Sequence, residues 1–193
     1  MPLPLRRIDF DEIDSTSLHA RRLVEAGAPE VASPDPLVIV AATQTAGVGR
    51  LGRAWSSPRG GLWCTFVLRP SRPYAEVSDG LGMRIGAAVT EALRAAAGPA
   101  HAARLQTKWP NDVLLDGRKV CGVLTETAGA GDGLRVLVGV GVNVECSTSD
   151  APEDLRERIT TMRDALGAGH APTRERVLAE LAPRVIAAVV GCE

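Results

Sequence analysis

Between Gly47 and Arg53 the chain places Gly47, Gly49, Arg50, Gly52 and Arg53. Glycine has no Cβ, so a backbone rich in it can bend sharply and come close to a ligand. Guanidinium groups are planar, permanently charged donors suited to phosphate or carboxylate oxygens. Together these residues predict an anion cradle; they also read as a flexible surface loop with two solvated arginines. Gly47-x-Gly49-x-x-Gly52 spells GxGxxG, but Trp55, Ser56, Ser57 and Pro58 follow where a dinucleotide fingerprint needs a helix, which excludes that class.

A second cluster begins at Lys108-Trp109-Pro110-Asn111-Asp112. Pro110 interrupts a strand ladder and sets a turn, turning Asn111 and Asp112 outward as oxygen donors. A carboxylate beside a carboxamide can hold a hydrated Mg²⁺ that also touches substrate phosphates. The dipeptide Asp116-Gly117 is a strong hairpin signal, and it returns the chain so that Lys119 faces the same ligand. Gly122 marks either a close backbone approach or a bulge. In Val138-Gly139-Val140-Gly141-Val142-Asn143-Val144 two glycines share one strand face, with Asn143 as a polar reader. That face suits either a ligand or a closely packed helix.

The elements that must position these residues follow from periodicity. Asp14 or Ser15 caps a short helix that Gly27 stops. Residues 37–42 read as a buried strand, 43–61 as a long loop, and 62–68 (LWCTFVL) as a second strand. Loops that long inside a compact domain are usually functional or disordered. Ser78 is expected to cap a helix carrying Leu81, Ile85, Val89 and Leu93, ended by Gly98-Pro99. Strands are expected at 104–108, 113–115, 119–127 and 134–144, and helices at 154–166 and 174–190. Strands dominate the middle and helices the end, which predicts an α+β domain with a mixed, mostly antiparallel sheet.

With 193 residues, 45% of them hydrophobic, the chain is expected to form a single domain over residues 1–193. A net charge of −1 gives no footprint for a polyanion, so nucleic acid is not an expected partner. Cys64, Cys121, Cys146 and Cys192 form no CxxC pair, which excludes a zinc signature and suits reduced thiols in the cytoplasm. No apolar stretch approaches the ~18–20 residues of a membrane span.

Taken in order, Asp14-Ser15-Thr16-Ser17, the segment 44–58, Lys108-Trp109-Pro110-Asn111-Asp112, the segment 117–126 and the segment 138–144 resemble the catalytic domain of biotin protein ligases. The resemblance runs from about Ile8 to Val144, and the most specific piece is KWPND with a lysine eleven residues after its own. It implies a fold related to lipoate ligases and class II aminoacyl-tRNA synthetases. It also implies formation of biotinyl-5′-AMP from biotin and ATP, with Mg²⁺, and transfer of biotin to a lysine of a biotin carboxyl carrier protein by a monomer or homodimer. Ser15, Thr16, Gln44, Gly47, Gly49, Gly122 and Leu124 would line the biotin pocket. Lys119, Arg50 and Arg53 would act in catalysis, and Trp55, Lys108, Asn111, Asp112 and Asn143 would join them around ATP, with Asp112 and Asn111 as metal donors. A lipoate or octanoate ligase on the same fold and a non-catalytic biotin-binding module are the alternatives. Two departures stand out: Val48 where the family usually has an arginine, and Ser17 where it usually has asparagine. Neither the winged helix of regulatory members nor their small C-terminal β-barrel is expected here.

Overall fold

The computed structural model describes residues 4–191; Cys192 lies outside them. Among the described residues seven strands form one sheet: β1 (Arg6–Ile13), β2 (Leu37–Gln44), β3 (Leu62–Leu68), β4 (Leu105–Lys108), β5 (Asp112–Leu115), β6 (Arg118–Ala128) and β7 (Arg135–Val142). Their spatial order is β1-β2-β3-β7-β6-β5-β4. β1 and β2 run parallel and every other neighbouring pair is antiparallel, so the sheet is mixed and mostly antiparallel, as predicted. A parallel pair needs a crossover, which α1 (Thr16–Glu25) and α2 (Pro29–Ala32) supply.

β1 was not among the expected strands. Its residues alternate, with Ile8 and Phe10 packing inward while Arg7, on the outer face, donates to both Asp9 and Glu175. The charged outer face hides the period of two. Asp116 and Gly117 both take positive φ, 52° and 77°, which is the hairpin turn the sequence predicts.

The remaining helices are α3 (Tyr74–Val77), α4 (Leu81–Ala97), α5 (Met162–Leu166) and α6 (Arg174–Val190). α4 and α6 lie together on one face of the sheet, where Ile85, Val89, Leu93, Val177, Leu181 and Val185 bury against Phe66 and the β7 valines 136, 138, 140 and 142. Strand alternation sends Leu137, Gly139 and Gly141 to the opposite face. There α1 and its neighbours bury Ala20, Val24, Leu37, Ile39, Val67 and Leu137 in a smaller core. α1 covers only part of that face. The uncovered part carries the site.

Two expectations are corrected. Ser78 does not cap α4: its hydroxyl donates to the Ala75 carbonyl, its backbone closes α3, and α4 starts after Gly80 at φ 64°. The expected helix at 154–166 is instead a short 3₁₀ turn, an extended pass and the brief α5. Lys119 N–H donates to the Arg158 carbonyl and Thr160 N–H to the Lys119 carbonyl. The β-branched pair Thr160-Thr161 favours that extended pass. Thr161 then caps α5 by accepting the Asp164 N–H at 2.9 Å.

Candidate active site

The long segment after β2 folds back on itself as an irregular hairpin. Gln44 bridges Ser57, Val48 bridges Ala54, and the Trp55 N–H donates to the Gly47 carbonyl at 2.8 Å. The tip is a 3₁₀ turn at Arg50–Gly52, with Leu51 and Gly52 at positive φ and Leu51 84% exposed. This fold-back lays the Trp55 indole across the uncovered part of the sheet. A Cβ at Gly141 would come within 2.7 Å of the indole nitrogen, and one at Gly122 within 2.8 Å of its six-membered ring. Gly122 is therefore a close-approach glycine; the register irregularity lies elsewhere, opposite Val113 and Leu114. Of the two β7 glycines, Gly141 makes room for the indole, whereas Gly139 makes room for a helix, since its Cβ would sit 2.8 Å from Ser17 Oγ on α1.

The indole, the glycines and the first turn of α1 line a small, open cavity. Its polar floor is Thr16, Ser17 and Gln44, and Gly49, Gly122, Leu124, Trp63 and Cys64 contribute further wall. Lys119 also lines it, with its ammonium 4.8 Å from the Trp55 ring centroid, a cation–π contact. Arg50 reaches in from the hairpin and donates to Asn111 Oδ1 at 2.9 Å. Cations from two distant stretches of chain thus share one cavity. The Lys119 Nζ stands 2.7 Å from Asp112 Oδ1. That is an ion pair, whereas Trp55 Nε1 is a buried donor without an acceptor. Such an orphaned group costs roughly 1–3 kcal/mol, which a bound ligand can recover.

Several expected residues stand off the cavity wall. Arg53 and Lys108 are exposed on the flanking segments. Ser15 is the N-cap of α1, accepting from the Leu18 N–H. Gly47 packs beneath the Trp55 carbonyl. Asn143 is buried and donates its amide to the Thr160 carbonyl at 3.0 Å, which holds the 158–162 pass beside Lys119. Among the described residues no group of three or more His, Cys, Asp or Glu side chains could hold a metal ion. Burial pushes the Cys64 thiol up to about 12 and raises that of Cys121 as well, so neither is a thiolate nucleophile at neutral pH.

Sequence reasoning missed Thr65 and Ser57. Thr65 is fully buried and hydrogen-bonds both Thr16 and Ser17; Ser57 accepts from the Gln44 amide at 2.7 Å. One signal was readable: a lone polar residue inside the apolar run LWCTFVL.

The profile of the Biotin/lipoate A/B protein ligase family matches residues 12–143. The bifunctional ligase/repressor BirA of Bacillus spizizenii is 38% identical over 161 residues, which are 81% of this chain and 46% of that protein. The biotin–[acetyl-CoA-carboxylase] ligase of Paracoccus denitrificans is 47% identical over 107 residues, 55% of this chain and 43% of that one. The chain thus spans about half the length of these curated relatives. The structure of the Aquifex aeolicus biotin protein ligase in complex with biotin and ATP superposes with a TM-score of 0.72 at 32% identity, covering 95% of this chain and 70% of that one. With the profile spanning the hairpin, the KWPND turn and both glycine strands, the chain belongs to the Biotin/lipoate A/B protein ligase family.

Proposed function

We propose that this chain activates the carboxylate of biotin with ATP and passes the biotinyl group to a lysine of a biotin carboxyl carrier protein domain. The observation that carries the reading is the Lys119 ammonium, which shares one cavity with the Thr16-Ser17-Gln44 floor and the Arg50–Asn111 pair. In the first step a carboxylate oxygen of biotin attacks the α-phosphorus of ATP. The bond from that phosphorus to the bridging oxygen breaks, and pyrophosphate leaves with the electron pair. Two anions must meet, and at ~4 Å and an effective dielectric of about 20 each unit-charge pair costs about 4 kcal/mol. Lys119 and Arg50 offset that repulsion and the charge that develops on the departing pyrophosphate. Arg53 and Lys108, both exposed, supply further cations for the outer phosphates.

In the second step a neutral lysine amine attacks the acyl carbon of biotinyl-5′-AMP, and AMP leaves. Water would destroy the mixed anhydride, so the folded-back hairpin, with Trp55 laid over the glycines, serves to exclude it. Asp112 and Asn111 fit the sparse protein share of a Mg²⁺ site completed by phosphates, their oxygens now lying against Lys119 and Arg50. When bound, the ion would neutralise phosphate charge. Both donors face cations in this structure, so Mg²⁺ would enter together with nucleotide. A cytoplasmic setting suits the free thiols Cys64, Cys121 and Cys146. No helix among the described residues is long and apolar enough to cross a membrane.

Exchange of labelled pyrophosphate into ATP tests this reading. Exchange that requires biotin supports it; tight biotin binding without exchange would mark a binding module instead.

A further inference from the structure

An acyl-adenylate attacks amines, and this chain carries almost none. Of its 22 lysines and arginines, two are lysine, Lys108 and Lys119, and the rest are arginine. A mixed anhydride acylates a neutral amine, whereas a guanidinium keeps its proton and has no lone pair to offer. Both lysines stand at the site. Lys119 is engaged, with its Nζ 2.7 Å from Asp112 Oδ1 and 4.8 Å from the Trp55 ring centroid. Lys108 is exposed and, among the described residues, has no ion-pair or hydrogen-bond partner. Sheet register aims it at the site: Lys108 lies opposite Asp112, Asp112 opposite Gly122, and Gly122 opposite Gly141. Residues opposite each other in an antiparallel pair share one face, so Lys108 stands on the open face, one strand beyond Asp112. Neighbouring strands are about 4.8 Å apart, a span that the flexible four-carbon stem of lysine covers.

We propose that Lys108 is a self-acylation site through which the chain switches itself off when the adenylate forms and no acceptor arrives. The inference rests on the reading that this cavity makes biotinyl-5′-AMP. Once pyrophosphate has left, the Lys108 amine no longer has outer phosphates to hold. Its nitrogen lone pair attacks the acyl carbon, and the bond from that carbon to the phosphate oxygen breaks. AMP leaves with the electron pair, the nitrogen releases one proton to solvent, and a biotinyl amide remains on Lys108. An amide carries no charge, so the next ATP meets one cation fewer, and the attached biotinyl group crowds the cavity mouth. An acceptor lysine that reaches the adenylate first prevents this. The supply of acceptor thereby sets the fraction of chain that stays active.

Mass spectrometry of the full chain incubated with biotin and ATP, intact and as peptides, tests this alongside pyrophosphate exchange on the same samples. One biotinyl group is expected on Lys108 and none on Lys119. Exchange should fall as the labelled fraction rises, by about tenfold or more at full labelling, and only when biotin and ATP are both present. Added biotin carboxyl carrier domain should suppress the labelling and the decay together. Lys108→Arg keeps the charge without an acylatable amine. Whatever its starting rate, its exchange should hold over the same incubation and its mass should not change. Labelling at Lys119 or at the N-terminal amine in place of Lys108 would overturn the proposal. So would labelled Lys108 with undiminished exchange, or no labelling while exchange proceeds. A parent chain without biotin-dependent exchange would overturn the functional reading instead, and biotinyl-5′-AMP supplied directly would then still decide whether Lys108 is acylated.

Discussion

One face of the sheet has two halves that are built differently. Under α1, the face is Leu37, Ile39, Val67 and Leu137, buried against Ala20 and Val24. Beyond α1, the same face is Gly122, Gly141 and Leu124, and a folded-back hairpin lays an indole where side chains would otherwise stand. β7 crosses from one half to the other within a few residues, with Leu137 in the first and Gly141 in the second. The lesson is that the site is made by subtraction. A continuous strand keeps its ladder hydrogen bonds while glycine removes the side-chain volume, leaving a rigid wall with space in front of it. The covered half supplies stability and the open half supplies binding.

That division can be broken experimentally, and the largest effect should come from charge in the open half. Lys119→Ala is expected to lower biotin-dependent pyrophosphate exchange on the order of 10³-fold, with the thermal unfolding midpoint little changed; near-parental exchange would remove Lys119 from the chemistry. The next two substitutions form a mirror pair on β7. Leu137→Ala in the covered half should cost about 3 kcal/mol of stability by denaturant titration, through lost burial and a cavity, yet leave biotin affinity within experimental error. Gly141→Val in the open half should do the reverse. Its added methyls need the space now held by the Trp55 indole, so biotin binding should weaken roughly 10- to 100-fold while the core remains intact. If both variants lose stability and binding alike, the two halves are one cooperative unit and the division fails.

The smallest effect concerns His19 on α1, whose ring packs edge-on against Phe10 with centroids 5.0 Å apart. Desolvation, followed by the nearby Arg22, holds its pKa below the ordinary histidine value. The unfolded chain therefore takes up the proton more readily. Stability attributable to His19 is fully present above the ordinary histidine range, about 6.5, and declines as the pH falls through it. Unfolding midpoints measured at neutral and mildly acidic pH should differ slightly more in the parent than in His19→Gln. A difference of opposite sign would contradict the assignment.

Much of this arrangement was legible in the chain itself. The apolar run LWCTFVL, the Asp116-Gly117 turn and the spaced valines of 138–144 announce their strands because tertiary packing agrees with local preference there. β1 stayed hidden because arginine and aspartate occupy its outer face, leaving only Ile8 and Phe10 to show the period. The 154–166 segment misled because its composition suits a helix while its actual partner is the Lys119 backbone, a contact no local pattern encodes. At the site, residues that carry charge or lack a side chain were readable: Arg50, Lys119, Gly122 and Gly141. Of the residues that act by orienting others, Thr65 shows only as a lone polar residue in an apolar run and Ser57 not at all, since a hydroxyl declares its role only through its neighbours. Arg53, expected to act in catalysis with Lys119 and Arg50, is exposed and off the cavity wall.

The most direct test of the central claim, that an acid and a nucleotide meet at Lys119, is a crystal structure of the chain grown with biotin and ATP. The account predicts biotinyl-5′-AMP with its urea on the Ser17 and Gln44 floor and its α-phosphate within hydrogen-bond reach of the Lys119 ammonium. Density for the ligand outside this cavity, or a nucleotide base seated on that floor, would contradict it.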